Sequence, residues 1–277
     1  MNLYFLSATV ITFTHPKHAM IRPNTFKSAL AAKQTQLGLW CCIADTYTNE
    51  ILAGSGYDWL TLDMEHSPND ARSVLAQLQM LDGYGVEAVV RFPKFDSDMV
   101  KLYLDLGVRT LVFPNVETAD QAKAIVAATR YPPRGIRGVA GLQRANRWGR
   151  VKNYHANAET ELCIVAQIES TTAVKNAPAI AAVDGIDGLF VGPSDLAASM
   201  GFMGNPLAPE VQQQIEAAKT LILATGKWAG ILARGASDAE TYAKMGYTMI
   251  GLGSDQGLLA KASDELLAQV RGTLSRA

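Results

Sequence analysis

The sequence has 277 residues, 48% hydrophobic and 18% charged, which suits one large domain or two small ones with a sizeable core. Its formal net charge of −1 gives no electrostatic support for binding to nucleic acid or to an anionic membrane. Cys41, Cys42 and Cys163 lie in apolar segments, so we expect buried free thiols and a reducing, cytoplasmic location. A catalytic or metal-binding role for Cys41 or Cys42 is less favoured, because no second cysteine pair completes a zinc pattern.

The first 20 residues differ from the rest of the chain. Residues 1–13 are apolar, but they lack the basic start and the small-residue cleavage site of a signal peptide. They are also too few to span a bilayer. We therefore predict an N-terminal extension over residues 1–20, either disordered or not native, and a single domain over residues 21–277.

Eight short apolar segments alternate with segments of helical periodicity. Such segments, rich in Val, Ile and Leu, are typical of strands buried on both faces of a parallel sheet. The strands are predicted at 37–43, 59–65, 87–92, 110–116, 162–169, 188–193, 228–233 and 249–253. The clearest helical segments are 71–81, 97–106, 119–129, 211–224 and 238–244, after a first helix capped by Asn24 or Thr25. Ser67 and Pro68 also resemble a helix start.

This alternation predicts the fold. Eight βα units in about 250 residues indicate an α/β protein with a (β/α)8 TIM barrel. A doubly wound open sheet is the alternative, but no Gly-x-Gly-x-x-Gly turn follows the first strand. The strands start at roughly the interval expected of a βα unit, with one exception: the distance from the fourth strand to the fifth is about twice as long.

Polar and charged side chains collect where the predicted strands end. The carboxyl ends of barrel strands meet at one face, which carries the chemistry in this fold. The opposite ends carry mostly glycine and small residues, so the one-sided distribution predicts an enzyme. The strand-end residues are Trp40, Asp63, Glu65, His66, Arg91, Asn115, Glu117, Gln167, Glu169, Ser194, Asp195, Leu232, Arg234, Ser254 and Asp255.

Glu169 and Asp195 follow two neighbouring strands and can therefore converge. Two carboxylates without an adjacent Cys or His are hard oxygen donors, which suit Mg²⁺ or Mn²⁺ with several waters left in place. Alternatively, each carboxylate caps the helix that follows it. We favour the metal site because both carboxylates lie on adjacent strands.

The other strand-end groups suit proton abstraction next to a carbonyl. Arg91 can stabilise a developing oxyanion, or it forms a salt bridge. Residues 192–196 start a helix whose free N–H groups could hold a carboxylate. Asp63 and His66 can pair to give a general acid/base, or they hydrogen-bond a turn. No lysine ends a strand, so a Schiff-base aldolase is disfavoured.

These motifs resemble the HpcH/HpaI aldolase family, which consists of class II, metal-dependent pyruvate aldolases acting on 2-oxo acids. The similarity keeps the motif order from about residue 24 to the C-terminus. It rests on residues 38–40, 58–69, 90–91, 130–138, 167–169 and 190–196. The resemblance implies a barrel of the phosphoenolpyruvate/pyruvate-binding type that reversibly cleaves a 4-hydroxy-2-oxo acid to pyruvate and an aldehyde. The implied substrate is either a 2-keto-3-deoxy sugar acid or 4-hydroxy-2-oxoheptanedioate. The enzyme would then act in the catabolism of sugar acids or of aromatic compounds.

The resemblance also implies a role for each site residue. Glu169 and Asp195 would bind Mg²⁺ or Mn²⁺, with Co²⁺ as a third option. Arg91 would stabilise the enolate, and His66, held by Asp63, would handle the C4 hydroxyl proton directly or through a bound water. The groups implied to hold pyruvate are Gln167, Gly192, Pro193, Ser194 and Asp195. Trp40 would line the pocket, and Leu232 would lie near the aldehyde end of the substrate. Glu65 and Asp105 would support the site, Asp105 from a neighbouring subunit.

The resemblance further implies a homohexamer in which the last helix is exchanged between neighbours. Residues 257–270 are apolar on one face, which would suit that exchange. The arginine-containing segment 140–150 is expected to border the site, where it either reads a second carboxylate or sugar-acid hydroxyls, or is solvated. Cys41, Cys42 and Arg234 match no assigned position. Two other functions stay open: decarboxylation of oxaloacetate or a related lyase reaction, and a non-catalytic barrel that binds a 2-oxo acid.

Overall fold

The computed structural model describes residues 21–274, and its eight strands close into one barrel in sequential order. All neighbouring strands are parallel, and β8 pairs with β1. The strands are β1 (Gln36–Cys41), β2 (Trp59–Asp63), β3 (Glu87–Arg91), β4 (Thr110–Phe113), β5 (Cys163–Ile168), β6 (Gly188–Val191), β7 (Trp228–Leu232) and β8 (Met249–Ser254). The predicted (β/α)8 barrel is confirmed. The predicted extension over residues 1–20 lies outside the described residues.

Helices connect consecutive strands on the outside of the barrel, and one further helix precedes the first strand while another follows the last. They are α1 (Thr25–Ala31), α2 (Thr46–Ala53), α3 (Ala71–Leu81), α4 (Ser97–Leu106), α5 (Ala119–Thr129), α6 (Tyr154–Asn157), α7 (Thr171–Ala181), α8 (Pro193–Ser199), α9 (Pro209–Ala224), α10 (Ala236–Met245) and α11 (Asp255–Leu274). Short 3₁₀ turns occupy Arg144–Asn146 and Ala158–Glu161. Within residues 21–274, no helix is both long and apolar enough to cross a membrane.

The apolar core forms two layers, because successive side chains of a strand point to opposite faces. The outer layer lies between the strands and the helices. The inner layer fills the barrel and is built around Trp40, Trp59, Phe190, Trp228 and Met249. All three cysteines are buried and free, as expected.

The helix start predicted at Ser67 and Pro68 is wrong by several residues. Helix α3 begins at Ala71, because the Asp70 carboxylate accepts hydrogen bonds from the N–H groups of Arg72 and Ser73, at 2.9 and 2.8 Å. The Ser67 hydroxyl donates instead to the Asp63 carbonyl. Residues 64–70 therefore form a loop above the end of β2.

The long connection between β4 and β5 lies near the amino-terminal end of the barrel. Helix α5 carries the chain back to that end, where Arg130 Nη1 pairs with Asp184 Oδ2 at 2.7 Å. Further along, Arg144 pairs with the Asp82 carboxylate and donates to the Leu106 carbonyl at 2.8 Å. Segment 140–150 therefore lies at the end of the barrel opposite to the predicted site. The expectation that it borders the site of its own chain is wrong.

Candidate active site at the carboxyl end of the barrel

A buried ion pair joins the ends of β2 and β3. The strand register places Asp63 beside Arg91, and both side chains point into the barrel mouth. Asp63 Oδ1 accepts from Arg91 Nε at 2.9 Å, and Asp63 Oδ2 accepts from Arg91 Nη2 at 2.6 Å. This bidentate geometry is the strong form of an arginine–carboxylate contact.

The environment fixes the charge of both partners. Burial alone would raise the pKa of Asp63, but the hydrogen bonds and charge of Arg91 outweigh it and lower this pKa below its usual value. Burial likewise opposes the charged form of Arg91, yet the contacts with Asp63 raise its pKa. The pair is therefore ionised, and Arg91 presents a fixed positive charge inside the barrel mouth.

The predicted pairing of Asp63 with His66 is not formed. Both Asp63 oxygens are engaged by Arg91, and Oδ1 also accepts from the Glu65 N–H at 2.9 Å. The His66 side chain is 67% exposed, and its Nε2 lies 4.0 Å from Glu65 Oε1. Strand β2 ends at Asp63, so His66 belongs to the following loop and its side chain does not face the barrel interior as that of Asp63 does. Glu65, predicted only to support the site, is the carboxylate nearest the imidazole.

Glu65 links the exposed imidazole to the buried arginine. Its Oε2 lies 3.2 Å from Arg91 Nη1, while its Oε1 faces His66. Burial raises the pKa of Glu65, and the charges of Arg91 and His66 partly oppose that rise. The chain of contacts Asp63–Arg91–Glu65–His66 thus runs from the barrel interior to the surface.

Trp40 and Cys42 pack beside this pair from the end of β1. The Trp40 ring lies 5.7 Å from the Arg91 guanidinium carbon and 5.3 Å from the Phe190 ring. Cys42 Sγ lies 3.7 Å from Asp63 Oδ2, and burial followed by the Asp63 charge raises the thiol pKa to about 12. Trp40 thus lies beside Arg91 at the end of β1, and its role in lining the pocket stays a prediction. The thiol contact of Cys42 was missed, although two-residue spacing from Trp40 places both side chains on one strand face.

Glu169 is held at the end of β5 by two hydrogen bonds. Its Oε1 accepts from the Asn115 backbone N–H at 2.8 Å, and its Oε2 accepts from Gln167 Nε2 at 2.9 Å. A Cβ atom at Gly192 would approach Oε2 to 2.8 Å, so a larger residue at this position would displace the Glu169 carboxylate from its present place. Asn115, whose backbone has φ of 54°, was recognised as a strand end but not as a donor to Glu169.

Asp195 lies in the first turn of α8, next to Glu169. Burial raises the pKa of Glu169 to about 8, the Asn115 N–H opposes this rise, and the nearby Asp195 charge adds to it. Asp195 and Ser194 are exposed at the barrel mouth, while Pro193 is buried and Leu232, at the end of β7, is half-buried. The structure therefore brings the predicted carboxylate pair together.

The backbone of residues 192–195 offers fewer donors than predicted. The Gly192 N–H donates to the Ile168 carbonyl at 3.0 Å, and Pro193 has no N–H. Only the N–H groups of Ser194 and Asp195 remain in the first turn of α8, where no intrahelical acceptor exists for them.

The donor set fits a divalent metal ion of the hard type. Within residues 21–274, no group of three or more His, Cys, Asp and Glu side chains forms a metal cage. Two carboxylates at an open barrel mouth instead match an ion that keeps several waters, as Mg²⁺ and Mn²⁺ do. The buried Gln167 Oε1 has no hydrogen-bond partner, which leaves a polar oxygen beside Glu169 for a ligand or a water.

Asp105 lies away from this group of residues. It belongs to α4, and its Oδ1 accepts from Arg137 Nη2 at 2.8 Å. Arg137 is fully buried and stacks over the Tyr131 ring, with its guanidinium carbon 4.5 Å from the ring centre. Within one chain, Asp105 thus secures the long connection between β4 and β5 and does not contact the site.

Comparison with known proteins extends the likeness over most of the chain. A hydroxypyruvate/pyruvate aldolase of Deinococcus radiodurans is 50% identical over 249 residues, which are 90% of each chain. A 4-hydroxy-2-oxovalerate aldolase of Rhodococcus jostii is 49% identical and covers 89% of this chain and 95% of its own. A 4-hydroxy-2-oxo-heptane-1,7-dioate aldolase of Salmonella heidelberg is 47% identical, with coverage of 89% and 94%.

The structural comparison agrees with the sequence comparison. A crystal structure of an HpcH/HpaI aldolase/citrate lyase family protein from Burkholderia cenocepacia superposes with a TM-score of 0.87 and 38% identity, covering 90% of this chain and 99% of that one. The HpcH/HpaI aldolase/citrate lyase family model matches residues 36–262. The chain therefore belongs to the HpcH/HpaI aldolase/citrate lyase family.

Proposed function

We propose that this chain cleaves a 4-hydroxy-2-oxo acid to pyruvate and an aldehyde with the help of a divalent metal ion held by Glu169 and Asp195. The carbon–carbon lyase reaction follows from the family and from aldolases that share about half of the residues. The observation that carries the metal-dependent form is the convergence of Glu169 and Asp195 beside the buried Arg91. Mg²⁺ or Mn²⁺ suits this pair of hard donors.

The charge that develops on the 2-oxo acid determines what the site must do. Cleavage of the C3–C4 bond leaves electrons that spread onto the keto oxygen of the pyruvate half. A divalent ion at Glu169 and Asp195 would supply positive charge to the oxygens of the 2-oxo acid. Arg91 adds a second positive charge that is already oriented by Asp63, so little reorganisation is needed during the reaction.

His66 is the proposed group for the proton of the C4 hydroxyl. Its imidazole is exposed at the barrel mouth, where an incoming substrate can reach it, and Glu65 rather than Asp63 is the carboxylate beside it. In cleavage His66 accepts the hydroxyl proton, and the resulting enolate takes up one proton from solvent at C3 to become pyruvate. In the reverse condensation that C3 proton is lost to solvent, and His66 returns its proton to the new alkoxide.

The experiment for the overall function uses metal-free protein and a panel of 4-hydroxy-2-oxo acids. We expect release of pyruvate and aldehyde only after Mg²⁺ or Mn²⁺ is added. Release of CO₂ from oxaloacetate without any aldehyde formation from the panel would favour a decarboxylase instead. Activity that is unchanged by EDTA would refute the metal-dependent mechanism.

Replacing His66 with glutamine should slow aldol cleavage about 10²–10⁴-fold, because the proton transfer loses its side chain. Metal affinity, measured by calorimetry with Mn²⁺, should change little, since the imidazole lies outside the carboxylate pair. His155→Gln is the matched control, because His155 belongs to α6 in the connection between β4 and β5 and contacts the Ala140 carbonyl. Equal losses of cleavage and metal affinity in His66→Gln would contradict the proton-transfer role.

Helix α11 is the proposed contact with a second copy of the chain. Of its 20 residues only Asp255 is buried. Asp255 accepts hydrogen bonds from the Cys42 and Ile43 N–H groups at 2.8 and 3.1 Å and so fixes the helix start against β1. Leu259, Leu266 and Val270 form an exposed apolar face beyond it. This face supports helix exchange between subunits, and the family resemblance implies a homohexamer.

Charged residues on this face should disrupt the assembly. The double variant Leu259→Glu with Leu266→Glu should elute as a smaller species than the unmodified chain in size-exclusion chromatography with light scattering. The burial of two glutamates against a partner would be unfavourable. Ala268→Glu on the opposite side of α11 is the control and should keep the original mass. An unchanged mass for the double variant would rule out α11 as a subunit contact.

A further inference from the structure

Arg234 stands at the mouth of the barrel without an assigned role. It follows β7 by two residues, after the Ala233 N–H donates to the Gly251 carbonyl at 2.8 Å. Its side chain is 49% exposed. Arg234 lines a small cavity together with Pro193, Ser194 and Leu232, and so lies beside the turn that carries Asp195.

One hydrogen bond orients the Arg234 guanidinium. Nε donates to Asp238 Oδ2 at 2.9 Å, four residues further along in α10. Within the described part of the chain, the Arg234 side chain makes no other hydrogen bond, so its Nη1 and Nη2 groups remain available. Two parallel N–H donors are the arrangement that arginine uses to bind a carboxylate.

Arg91 cannot serve a second anionic group of the substrate. Its Nε and Nη2 bind Asp63, its Nη1 faces Glu65 at 3.2 Å, and its side chain is only 10% exposed. A negative charge on the aldehyde half would also meet the carboxylates of Glu65 and Asp195 at the barrel mouth. An acidic aldehyde therefore needs a separate cation, and Arg234 is placed to supply it.

We propose that Arg234 determines specificity by binding the distal carboxylate of an acidic aldehyde, such as the semialdehyde of a dicarboxylic acid. The inference rests on the proposed aldolase function and names its substrate class. The names of the relatives include both a heptane-1,7-dioate, with a distal carboxylate, and an oxovalerate, without one. A single residue that binds the distal carboxylate would let an enzyme distinguish these two substrate classes.

The test compares two aldehydes of similar shape in condensation with pyruvate. Succinic semialdehyde carries the distal carboxylate, and methyl 4-oxobutanoate replaces it by a neutral ester. For the unmodified chain we expect kcat/KM to favour succinic semialdehyde. Arg234→Gln should lower kcat/KM for the acid about tenfold or more, mainly through KM, and leave the value for the ester nearly unchanged.

The controls separate this role from a general loss of the site. Lys244→Gln, at the far end of α10, removes an exposed cation and should leave both substrates unaffected. Calorimetry with 4-hydroxybutanoate, which cannot condense, should show weaker binding to Arg234→Gln than to the unmodified chain. Equal effects on acid and ester, or none, would overturn the proposal while the aldolase function stands. Failure of the unmodified chain with both aldehydes would also overturn the proposal, and the panel of 4-hydroxy-2-oxo acids described above then shows separately whether the aldolase function stands.

Discussion

Replacing Asp63 with asparagine is expected to lower kcat/KM about 10³-fold and to destabilise the fold by about 3–5 kcal/mol. The variant leaves the Arg91 charge buried without its main partner, and breaking one half of a buried pair carries a cost of this size. The activity falls because the asparagine amide can accept at most one of the two hydrogen bonds from Arg91, and its NH₂ group faces the guanidinium as a second donor. Urea unfolding and steady-state cleavage kinetics measure the two effects.

A double variant separates stability from catalysis. Asp63→Leu with Arg91→Met replaces the whole pair by apolar side chains, which often restores or increases stability. We expect this variant to unfold at a urea concentration close to that of the unmodified chain, yet to stay inactive. Recovery of activity together with stability would contradict the assignment of Arg91 to the reaction, as would near-normal cleavage by Asp63→Asn.

Replacing Glu169 with glutamine is expected to weaken Mn²⁺ binding about 100-fold or more and to abolish cleavage at ordinary metal concentrations, because one of two protein carboxylates is lost. The fold should tolerate the change. The amide oxygen of the new glutamine can still accept from the Asn115 N–H. Its NH₂ group can donate to the unpartnered Gln167 Oε1 once the Gln167 amide rotates. Calorimetry with Mn²⁺ and thermal unfolding of the metal-free protein measure both expectations.

Glu117→Gln is the matched control for this prediction. Glu117 also follows a barrel strand, but its carboxylate accepts from the Ser170 hydroxyl outside the pair formed by Glu169 and Asp195. We expect this variant to bind Mn²⁺ and cleave substrate like the unmodified chain. Normal metal affinity in Glu169→Gln, or an equal loss in Glu117→Gln, would exclude Glu169 as a specific ligand.

Local patterns in the sequence determine much of the fold and the list of strand-end residues. The predicted helices 71–81, 97–106 and 119–129 have the same bounds in the structure, since apolar periodicity and caps such as Thr118 with Gln121 are local signals. Glu169 and Asp195 could be paired because they follow consecutive strands of a parallel sheet. This inference needed only the order of the strands.

Contacts that depend on register or on the path of a long loop could not be predicted in this way. Proximity in the sequence favours a pair between Asp63 and His66, whereas the barrel register places Arg91 beside Asp63. The position of segment 140–150 depends on tertiary contacts such as that of Arg144 with Asp82. Neither the contact of Asp63 with Arg91 nor that of Arg144 with Asp82 can be predicted from a short-range sequence pattern.

The most direct test of the metal–arginine site is deuterium exchange into pyruvate, followed by proton NMR in D₂O without any aldehyde. Formation of the enolate makes the methyl protons of pyruvate exchangeable, so the experiment isolates the step assigned to Glu169, Asp195 and Arg91. We predict that the methyl signal disappears with the unmodified chain and Mg²⁺ or Mn²⁺, and that it persists with EDTA or with Glu169→Gln. Exchange that continues at the same rate in EDTA would contradict a metal-dependent enolate site.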